Sequence, residues 1–294
     1  MRKDFQFCSY GTEEPTCITN SQQMAPKRLP PLPSGDPWLS QSVGQISSGV
    51  LVCGGFKGKV DDPSLCHLFN QTSKQWQTFP HLLIGADKSL MISNAEKVAL
   101  IGGRISKNEG TKSIQIFNGT AWILGPEMNT KGWGAKSVAL NQSHHLVVGG
   151  FEPSLHFNND VILFDLDSET VHTIASYPQS TVIVGAMKYS HERKDFVICF
   201  GDQSTPVDKI IYKLDLDHFT WSKFEGETPT TFVAGKSMAI SSNVMWIALV
   251  YDVRWEASPY HYKLTIEKGQ AKWDRLPSLP IGVVIGTQET ELIE

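Results

Sequence analysis

The chain has 294 residues, of which 40% are hydrophobic and 19% are charged, and its formal net charge is −4 at pH 7. This composition is typical of a globular protein and excludes a disordered or collagen-like chain, while the length fits two domains or one large repeat-built unit. No window is strongly basic, and no apolar stretch reaches the roughly 18 residues of a membrane helix. We therefore expect neither a nucleic-acid partner nor a membrane span.

Short apolar runs recur about every 48 residues along the chain, the kind of period that indicates a repeat architecture. They occupy residues 50–55, 98–103, 146–150, 197–201 and 246–250, and most end in glycine. An aromatic residue follows each run except the third, where Val171 takes its place, at Trp76, Trp122, Trp221 and Trp273. A proline comes shortly afterwards in every unit, at Pro80, Pro126, Pro178, Pro229 and Pro277. Units in phase over most of the chain predict a single repeat-built fold.

Each unit has the pattern of four short strands, as the second unit illustrates. Residues 89–92 form the first predicted strand, and residues 97–103, apolar throughout, suit a central strand that is buried on both faces. Residues 113–117 alternate, Asn118-Gly119 favours a tight hairpin turn, and residues 121–124 form the fourth strand. Four-stranded units at this period predict an all-β propeller, in which twisted sheets pack face to face around a channel.

The repeated features resemble those of the kelch-repeat family: a diglycine after an apolar strand, followed by tryptophan and proline. The resemblance covers essentially the whole chain, and its diglycines are Gly54-Gly55, Gly102-Gly103 and Gly149-Gly150. The departures are Gly201-Asp202 and Tyr251-Asp252 in place of diglycine, and the missing tryptophan in the third unit. The resemblance implies a β-propeller that binds a protein partner more often than it catalyses a reaction.

The number of units predicts a six-bladed propeller of four-stranded antiparallel blades within a single domain, residues 1–294. Five whole blades are expected at residues 39–82, 83–130, 131–179, 180–230 and 231–280. Residues 4–11 resemble residues 195–201, and residues 283–286 resemble residues 182–185, which open another unit. We therefore expect residues 1–38 and 281–294 to form a composite blade that closes the ring and leaves no long sheet edge exposed. The alternative is that the chain is a fragment of a longer propeller.

The cysteines fall at positions that are predicted to face each other on the second and third strands. The aligned pairs are Cys53 with Cys66, Ile101 with Ile114, Val148 with Val161, Cys199 with Ile211, and Cys8 with Cys17 in the composite blade. Directly opposed residues of antiparallel strands lie within disulfide reach, so we predict two disulfides, Cys8–Cys17 and Cys53–Cys66. The alternative is five buried thiols, because cysteine packs well where isoleucine or valine also serves.

Three glycosylation sequons fall in predicted hairpin turns, at Asn70, Asn118 and Asn141. Asparagine is also a turn residue in its own right. Together with the paired cysteines, the sequons favour an oxidising compartment, whereas the N-terminal residues show no recognisable secretion signal. We therefore expect an extracellular protein if the chain continues upstream, and a cytoplasmic one otherwise.

No residue set predicts catalysis, and we expect no metal and no cofactor. The nine histidines are scattered without metal-ligand spacing. A copper site like that of galactose oxidase, a kelch-type enzyme, would draw on Tyr251, Tyr260, His261 and Tyr262, but strand alternation points His261 away from its neighbours. A carbohydrate-active enzyme of kelch type, a sugar oxidase, mutarotase or epimerase, is the alternative function. Its candidate acid and base groups are Glu152, His156 and Asp202.

The segments between second and third strands vary in length and character while their flanking strands keep the pattern. They are residues 56–64, 104–112, 151–160, 202–208 and 252–259, and they emerge on one face of a propeller. Aromatic and arginine side chains anchor many interfaces. We predict that a monomeric, non-catalytic binding or scaffold module recognises a protein partner here, through Arg104, Lys107, Trp133, Phe151, His156, Phe157, Arg254 and Trp255. Alternatively, Phe151 and Phe157 fold inward and fill their own loop.

Overall fold

A computed structural model describes residues 6–9, 16–19, 30, 32–33, 40–56, 62–152, 157–179, 181–201, 209–232, 234–251 and 260–276. For residues 6–9, 16–19, 234 and 249–251 it describes the backbone alone. All regular structure in these ranges is β-strand or turn. The part of the chain that is described contains no helix long and apolar enough to cross a membrane.

The strands form antiparallel sheets whose members follow one another along the chain. A two-stranded sheet comes first, from β1 (Gln6–Ser9) and β2 (Thr16–Thr19). Blade 1 contains β3 (Ser42–Ile46), β4 (Gly49–Cys53), β5 (Cys66–Asn70) and β6 (Gln75–Phe79). Blade 2 contains β7 (Leu90–Ser93), β8 (Val98–Ile101), a short extra strand β9 (Arg104–Ser106), β10 (Glu109–Phe117) and β11 (Trp122–Gly132).

The remaining three blades each have four strands in the same order. Blade 3 contains β12 (Lys136–Ala139), β13 (His144–Val148), β14 (Val161–Asp165) and β15 (Thr170–Thr173). Blade 4 contains β16 (Gly185–His191), β17 (Lys194–Phe200), β18 (Ile210–Asp215) and β19 (Thr220–Glu227). Blade 5 contains β20 (Ala234–Ser241), β21 (Val244–Tyr251), β22 (His261–Glu267) and β23 (Gln270–Leu276). The first strands contact one another in the order β3, β7, β12, β16 and β20, so they line the centre of the propeller.

The all-β propeller is as predicted, but the prediction of six blades is wrong. The described residues form five blades, and none of their strands pairs with β1 or β2. The similarity between residues 4–11 and 195–201 is an apolar pattern, and such a pattern predicts a strand without selecting its partners. Residues 281–294, which were expected to complete a composite blade, lie outside the described residues.

The pairing register of the second and third strands agrees with the aligned positions of the repeat. Cys53 faces Cys66, Ile101 faces Ile114, and Val148 faces Val161. In the two-stranded sheet, Cys8 faces Cys17. One predicted pair is wrong by a single residue, because Cys199 faces Tyr212 while Phe200 faces Ile211. Cys199 and Tyr212 are 13 positions apart, as are the facing residues of blades 1 to 3, so blade 4 keeps the spacing of the repeat and the predicted pair was misaligned by one residue.

The hydrophobic core lies between neighbouring blades. In β8, Val98 and Leu100 pack towards blade 1, whereas Ala99 and Ile101 pack towards blade 3. Successive side chains of a strand point to opposite faces, so a strand with both faces covered needs apolar residues at every position. This confirms that the second strand of the unit is central and buried on both faces.

Three of the four repeated tryptophans connect their blade to the segment that precedes it. The indole Nε1 of Trp76 donates a hydrogen bond to the Pro30 carbonyl at 2.8 Å, and that of Trp122 donates to the Pro80 carbonyl at 2.9 Å. Trp221 donates in the same way to the Ala175 carbonyl at 2.9 Å. In these three the large ring covers apolar surface while its single donor finds a partner. The buried Nε1 of the fourth, Trp273, has no hydrogen-bond partner among the described residues.

Candidate functional site

The meander order gives the propeller two faces of different character, because alternate connections emerge at opposite ends of a blade. We call loop face the described connections between second and third strands and between blades: residues 54–56, 62–65, 80–89, 102–108, 133–135, 149–152, 157–160, 174–179, 181–184, 201, 209, 228–232 and 260. We call turn face the short turns at the other end: residues 47–48, 70–74, 94–97, 118–121, 140–143, 165–169, 192–193, 215–219, 242–243 and 268–269.

Arg104 lies on the loop face, but its guanidinium already has a partner. Nε and Nη2 donate to the two carboxylate oxygens of Asp87 at 2.9 and 2.6 Å, and the residue Asp87 is only 5% exposed. The backbone N–H of each residue also donates to the carbonyl of the other. The hydrogen bonds to Asp87 raise the pKa of Arg104 above its ordinary value. This fork-to-carboxylate pair fixes the loop of blade 2 to the connection that enters β7.

Three of the predicted aromatic residues pack together, and all of them are at least partly buried. The rings of Trp133 and Phe151 are stacked with centroids 6.5 Å apart, and Phe157 meets Phe151 edge-on at 5.4 Å. Trp133 is only 5% exposed. Phe151 and Phe157 pack against the apolar cluster that contains Val182 of blade 4. Phe151 and Phe157 therefore fold inward, which the sequence left open as an alternative.

Of the other predicted contact residues, Lys107 alone lies in the described part of the chain. Lys107 is exposed at the tip of the blade 2 loop. His156, Arg254 and Trp255 lie outside the described residues.

Exposed apolar residues that the sequence reasoning missed are concentrated on the loop face. Among the described residues six large apolar side chains are exposed, and four of them belong to this face: Phe56 (46% exposed), Leu83 (56%), Ile105 (38%) and Tyr260 (38%). The other two, Ile123 and Leu124, lie on the outer strand β11. Position in the sequence could have indicated this exposure for two of the loop-face residues. Phe56 and Ile105 come just after the diglycine that ends the buried strand, so they are apolar residues of a loop.

Phe56, Leu83 and Ile105 belong to loops of two neighbouring blades that are hydrogen-bonded together; we call these three residues the apolar patch. The connection that carries Leu83 is held at one end by the Leu82 N–H, which donates to the Ser64 carbonyl at 2.9 Å. At the other end the Asp87–Arg104 ion pair holds the residue next to Ile105.

Gln115 of the neighbouring blade fixes the middle of the connection that carries Leu83. It is fully buried on β10, where its Oε1 accepts from the Ile84 N–H at 2.9 Å and its Nε2 donates to the Ile84 carbonyl at 2.9 Å. A side-chain amide that satisfies both backbone groups of one residue acts as an additional strand partner. The connections that carry Leu83 and Ile105 are therefore held in place before any partner arrives.

Lys88 supplies a cation at the inner rim of this face. Its backbone N–H donates to the Ser40 carbonyl, and its carbonyl accepts from the Gly134 N–H, both at 2.9 Å. These residues enter the first strands of three successive blades, and all have positive φ, of 59°, 55° and 72° for Ser40, Lys88 and Gly134. Burial lowers the pKa of Lys88, and the nearby Arg104 charge lowers it further.

A cavity of about 30 Å³ lies between blades 2 and 3, beside Trp133, Met128 and Ile162. Its polar lining includes Thr130 and Asp160, which are hydrogen-bonded to each other. This volume holds about one water molecule, whereas pockets for small organic ligands measure roughly 300–1,000 Å³. The cavity is therefore too small for a sugar.

The structure describes some of the groups considered for catalysis. His261 Nδ1 is buried without a hydrogen-bond partner there, and burial lowers the pKa of this imidazole. The Tyr260 ring carries the Arg275 guanidinium 4.2 Å from its centroid. Glu152 is half-buried, while Asp202 and His156 lie outside the described residues. No group of three or more His, Cys, Asp or Glu able to hold a metal ion occurs among the residues searched.

Sequence comparison finds no protein-family model and no curated protein that matches this chain. Structure comparison finds similar folds. One solved structure, described as "Structure of YjhT", superimposes with a TM-score of 0.68 over 93% of this chain and 98% of that one, at 12% sequence identity. The fold is a β-propeller. At this level of identity the similarity shows the fold alone, and the β-propeller by itself names neither a partner nor a reaction.

Proposed function

We propose that this β-propeller is of kelch type and is a non-catalytic binding module that recognises a protein partner through its loop face. The observation that supports this most is the position of the apolar patch, because exposed apolar side chains that cluster on one face mark interaction sites. The turn face, in contrast, presents short polar turns such as residues 70–74 and 118–121.

The way the apolar patch is held supports the same function. Binding is weakened by the entropy lost when loops become ordered, so a patch that is already fixed loses less of its binding free energy. Leu83 and Ile105 lie on connections fixed by Gln115 and by the Asp87–Arg104 pair. Phe56 follows Gly55, whose N–H donates to the Ala86 carbonyl. Arg104 therefore serves as a positioning residue, and the apolar patch provides the contacts.

The partner surface that fits these groups is apolar at its centre and acidic at its margin. Lys88 and Lys107 are exposed on the same two connections as Leu83 and Ile105, and complementary charges increase the rate and specificity of association.

A carbohydrate-active enzyme is the alternative hypothesis. Of its candidate acid and base groups, Glu152 alone lies in the described part of the chain, and it does not line the cavity beside Trp133, which is in any case too small for a sugar. A panel of free monosaccharides in a thermal-shift assay distinguishes the two functions. Strong stabilisation by one sugar would support the enzyme.

The binding test uses a double substitution with a matched control. Leu83→Ser with Ile105→Ser removes patch residues that are 56% and 38% exposed, and Leu124→Ser with Ile123→Ser removes residues that are 58% and 38% exposed on β11. Proximity labelling in source cells identifies the partner, and titration by calorimetry gives its affinity. Loss of anchor residues should cost about 2 kcal/mol or more, which is roughly 30-fold in Kd.

We expect the patch variant to bind at least 30-fold more weakly than the wild type, while the β11 variant binds normally and both keep the wild-type melting temperature. Wild-type affinity of the patch variant, or a loss confined to the β11 variant, would show that the loop face is not the recognition surface.

A further inference from the structure

The three sequons lie on the turn face, on three consecutive blades. Asn70 and Asn118 open the turns between the third and fourth strands of blades 1 and 2, and Asn141 opens the turn between the first two strands of blade 3. Asn118 and Asn141 are exposed, and Asn70 is half-buried. All other asparagines in the sequence lack Ser or Thr two positions later. Every acceptor sequence in the chain therefore lies on the face opposite the apolar patch.

Each of these asparagines makes the same local turn with its side-chain oxygen. Asn70 Oδ1 accepts the N–H groups of Thr72 and Ser73 at 2.9 and 3.0 Å, and Asn118 Oδ1 accepts those of residues 120 and 121 at 3.0 Å each. Asn141 Oδ1 accepts those of residues 143 and 144 at 3.0 and 2.8 Å. In each turn Oδ1 of the amide holds the backbone, and Nδ2 takes no part in these hydrogen bonds. Nδ2 is the atom to which an N-linked glycan is attached.

The turn itself does not require asparagine. The corresponding turns of blades 3 and 4 begin with Asp165 and Asp215, whose Oδ1 atoms accept N–H groups in the same way. Aspartate has no Nδ2, so it can form the turn but cannot accept a glycan. The three sequons lie in blades 1 to 3. At these positions aspartate could form the same turn, so the turn alone does not explain the asparagine and the hydroxyl residue two positions later.

The disulfide is an independent indication of the compartment. Cys53 and Cys66 are bonded across blade 1, and disulfides persist in oxidising compartments such as the secretory lumen. Transfer of N-linked oligosaccharides takes place in secreted proteins on surface turns.

We propose that Asn70, Asn118 and Asn141 carry N-linked oligosaccharides, which cover the turn face of blades 1 to 3 and leave the loop face open. The donor is an oligosaccharide linked to a polyprenyl pyrophosphate. A bond forms between Nδ2 and the reducing-end sugar carbon C1, the bond from C1 to the pyrophosphate oxygen breaks, and the polyprenyl pyrophosphate leaves with that electron pair. One amide proton passes to a base, and nothing is oxidised or reduced.

The test expresses the full chain behind a cleavable secretion leader in animal cells and measures intact mass before and after amidase removal of N-glycans. Thr72→Ala, Thr120→Ala and Ser143→Ala each remove the hydroxyl but keep the asparagine turn. We expect the wild type to carry three glycans and each substitution to remove one without lowering the melting temperature.

A gain-of-site variant tests whether the turn geometry is sufficient. Asp215→Asn with Asp217→Thr places a sequon in the matching turn of blade 4, and we expect it to add a fourth glycan. Asp215→Asn alone is the control and should add none.

The same mass measurement is made on the endogenous protein, captured from its source cells with an antibody. Three glycans there support the proposal. An endogenous protein with no glycan at Asn70, Asn118 or Asn141, or a secreted chain that is not modified at these turns, would overturn it. Because these readouts do not involve the partner, they are independent of the binding test.

Discussion

At the level of single residues, the pair Cys53 and Cys66 links the two inner positions of the blade 1 sheet. Both residues are fully buried, and they occupy facing positions on β4 and β5 where blades 2 and 3 have isoleucine or valine. The predicted disulfide Cys53–Cys66 is therefore confirmed. The prediction for Cys8–Cys17 rests on side chains outside the described part, where only the backbone register is given.

Removal of this disulfide should destabilise the propeller. We expect Cys53→Ala with Cys66→Ala to lower the free energy of unfolding by about 2–4 kcal/mol, because the bond restricts the unfolded chain. Urea titration with and without reductant measures the effect. Reductant should lower the free energy of unfolding of the wild type but not that of the double variant. Cys199→Ala is the control, since Cys199 is equally buried but not disulfide-bonded. Equal sensitivity of wild type and double variant to reductant would contradict the bond.

His145 is a buried imidazole whose protonation opposes folding. It lies on β13 opposite Phe164, is 6% exposed, and its Nε2 has no hydrogen-bond partner among the described residues. Burial, with a smaller contribution from the His144 charge, lowers its pKa from 6.5 to about 4. The unfolded chain therefore binds a proton between pH 6.5 and about 4 that the folded chain does not, so stability falls as the pH decreases through this window.

The shift in the pKa of His145 predicts a loss of up to about 3 kcal/mol in unfolding free energy between pH 7 and pH 4. His145→Met should remove this part of the pH dependence. Urea unfolding at half-unit pH intervals compares the variant with the wild type, and the exposed His172→Gln serves as a control that should follow the wild type. Parallel pH profiles for wild type and His145→Met would refute the assignment.

At the level of elements, the connection between β6 and β7 is held by a side chain of strand β10. Gln115 on β10 binds both backbone groups of Ile84, and it does so from a fully buried position. Buried polar groups that lose their partner are costly, so this one side chain fixes how the loop face is presented.

We expect Gln115→Leu to lower the free energy of unfolding by about 2–4 kcal/mol, because it leaves the Ile84 N–H and carbonyl without their partner. Chemical denaturation measures the loss, and Gln77→Leu, on the exposed side of β6, should change stability by less than about 0.5 kcal/mol. Similar stabilities for the two variants would mean that water replaces the amide at Ile84.

At the level of the whole molecule, stability resides between blades. The four apolar clusters lie between successive blades, and Trp122 and Trp221 bind the segments that precede their own blades. A blade with one face uncovered would expose an apolar surface, which is why such units are stable only against neighbours. The same stacking places all loops on one face and all tight turns on the other, and thereby separates the proposed binding surface from the proposed glycans.

The sequence alone determined the four-stranded unit, the propeller class and most of the strand register. The reason is physical: a strand that is covered on both faces must be apolar throughout, and a repeat that preserves strand spacing brings aligned residues such as Ile101 and Ile114 opposite each other. Asn118-Gly119 predicted its turn for an equally local reason, since the conformational preferences of a few residues decide it.

Only the tertiary structure decided the number of blades and the character of the loop face. In the described residues β1 pairs with β2 and with no strand of a blade. An apolar pattern predicts a strand but does not determine which strand it pairs with. No motif indicated that Asp87 would pair with Arg104, and the sequence left open whether Phe151 and Phe157 fold inward, which their packing against the apolar cluster of blade 4 decides. Leu83 and Ile105 carry no motif; their exposure depends on how neighbouring blades pack, and packing brings together residues that are far apart in the chain.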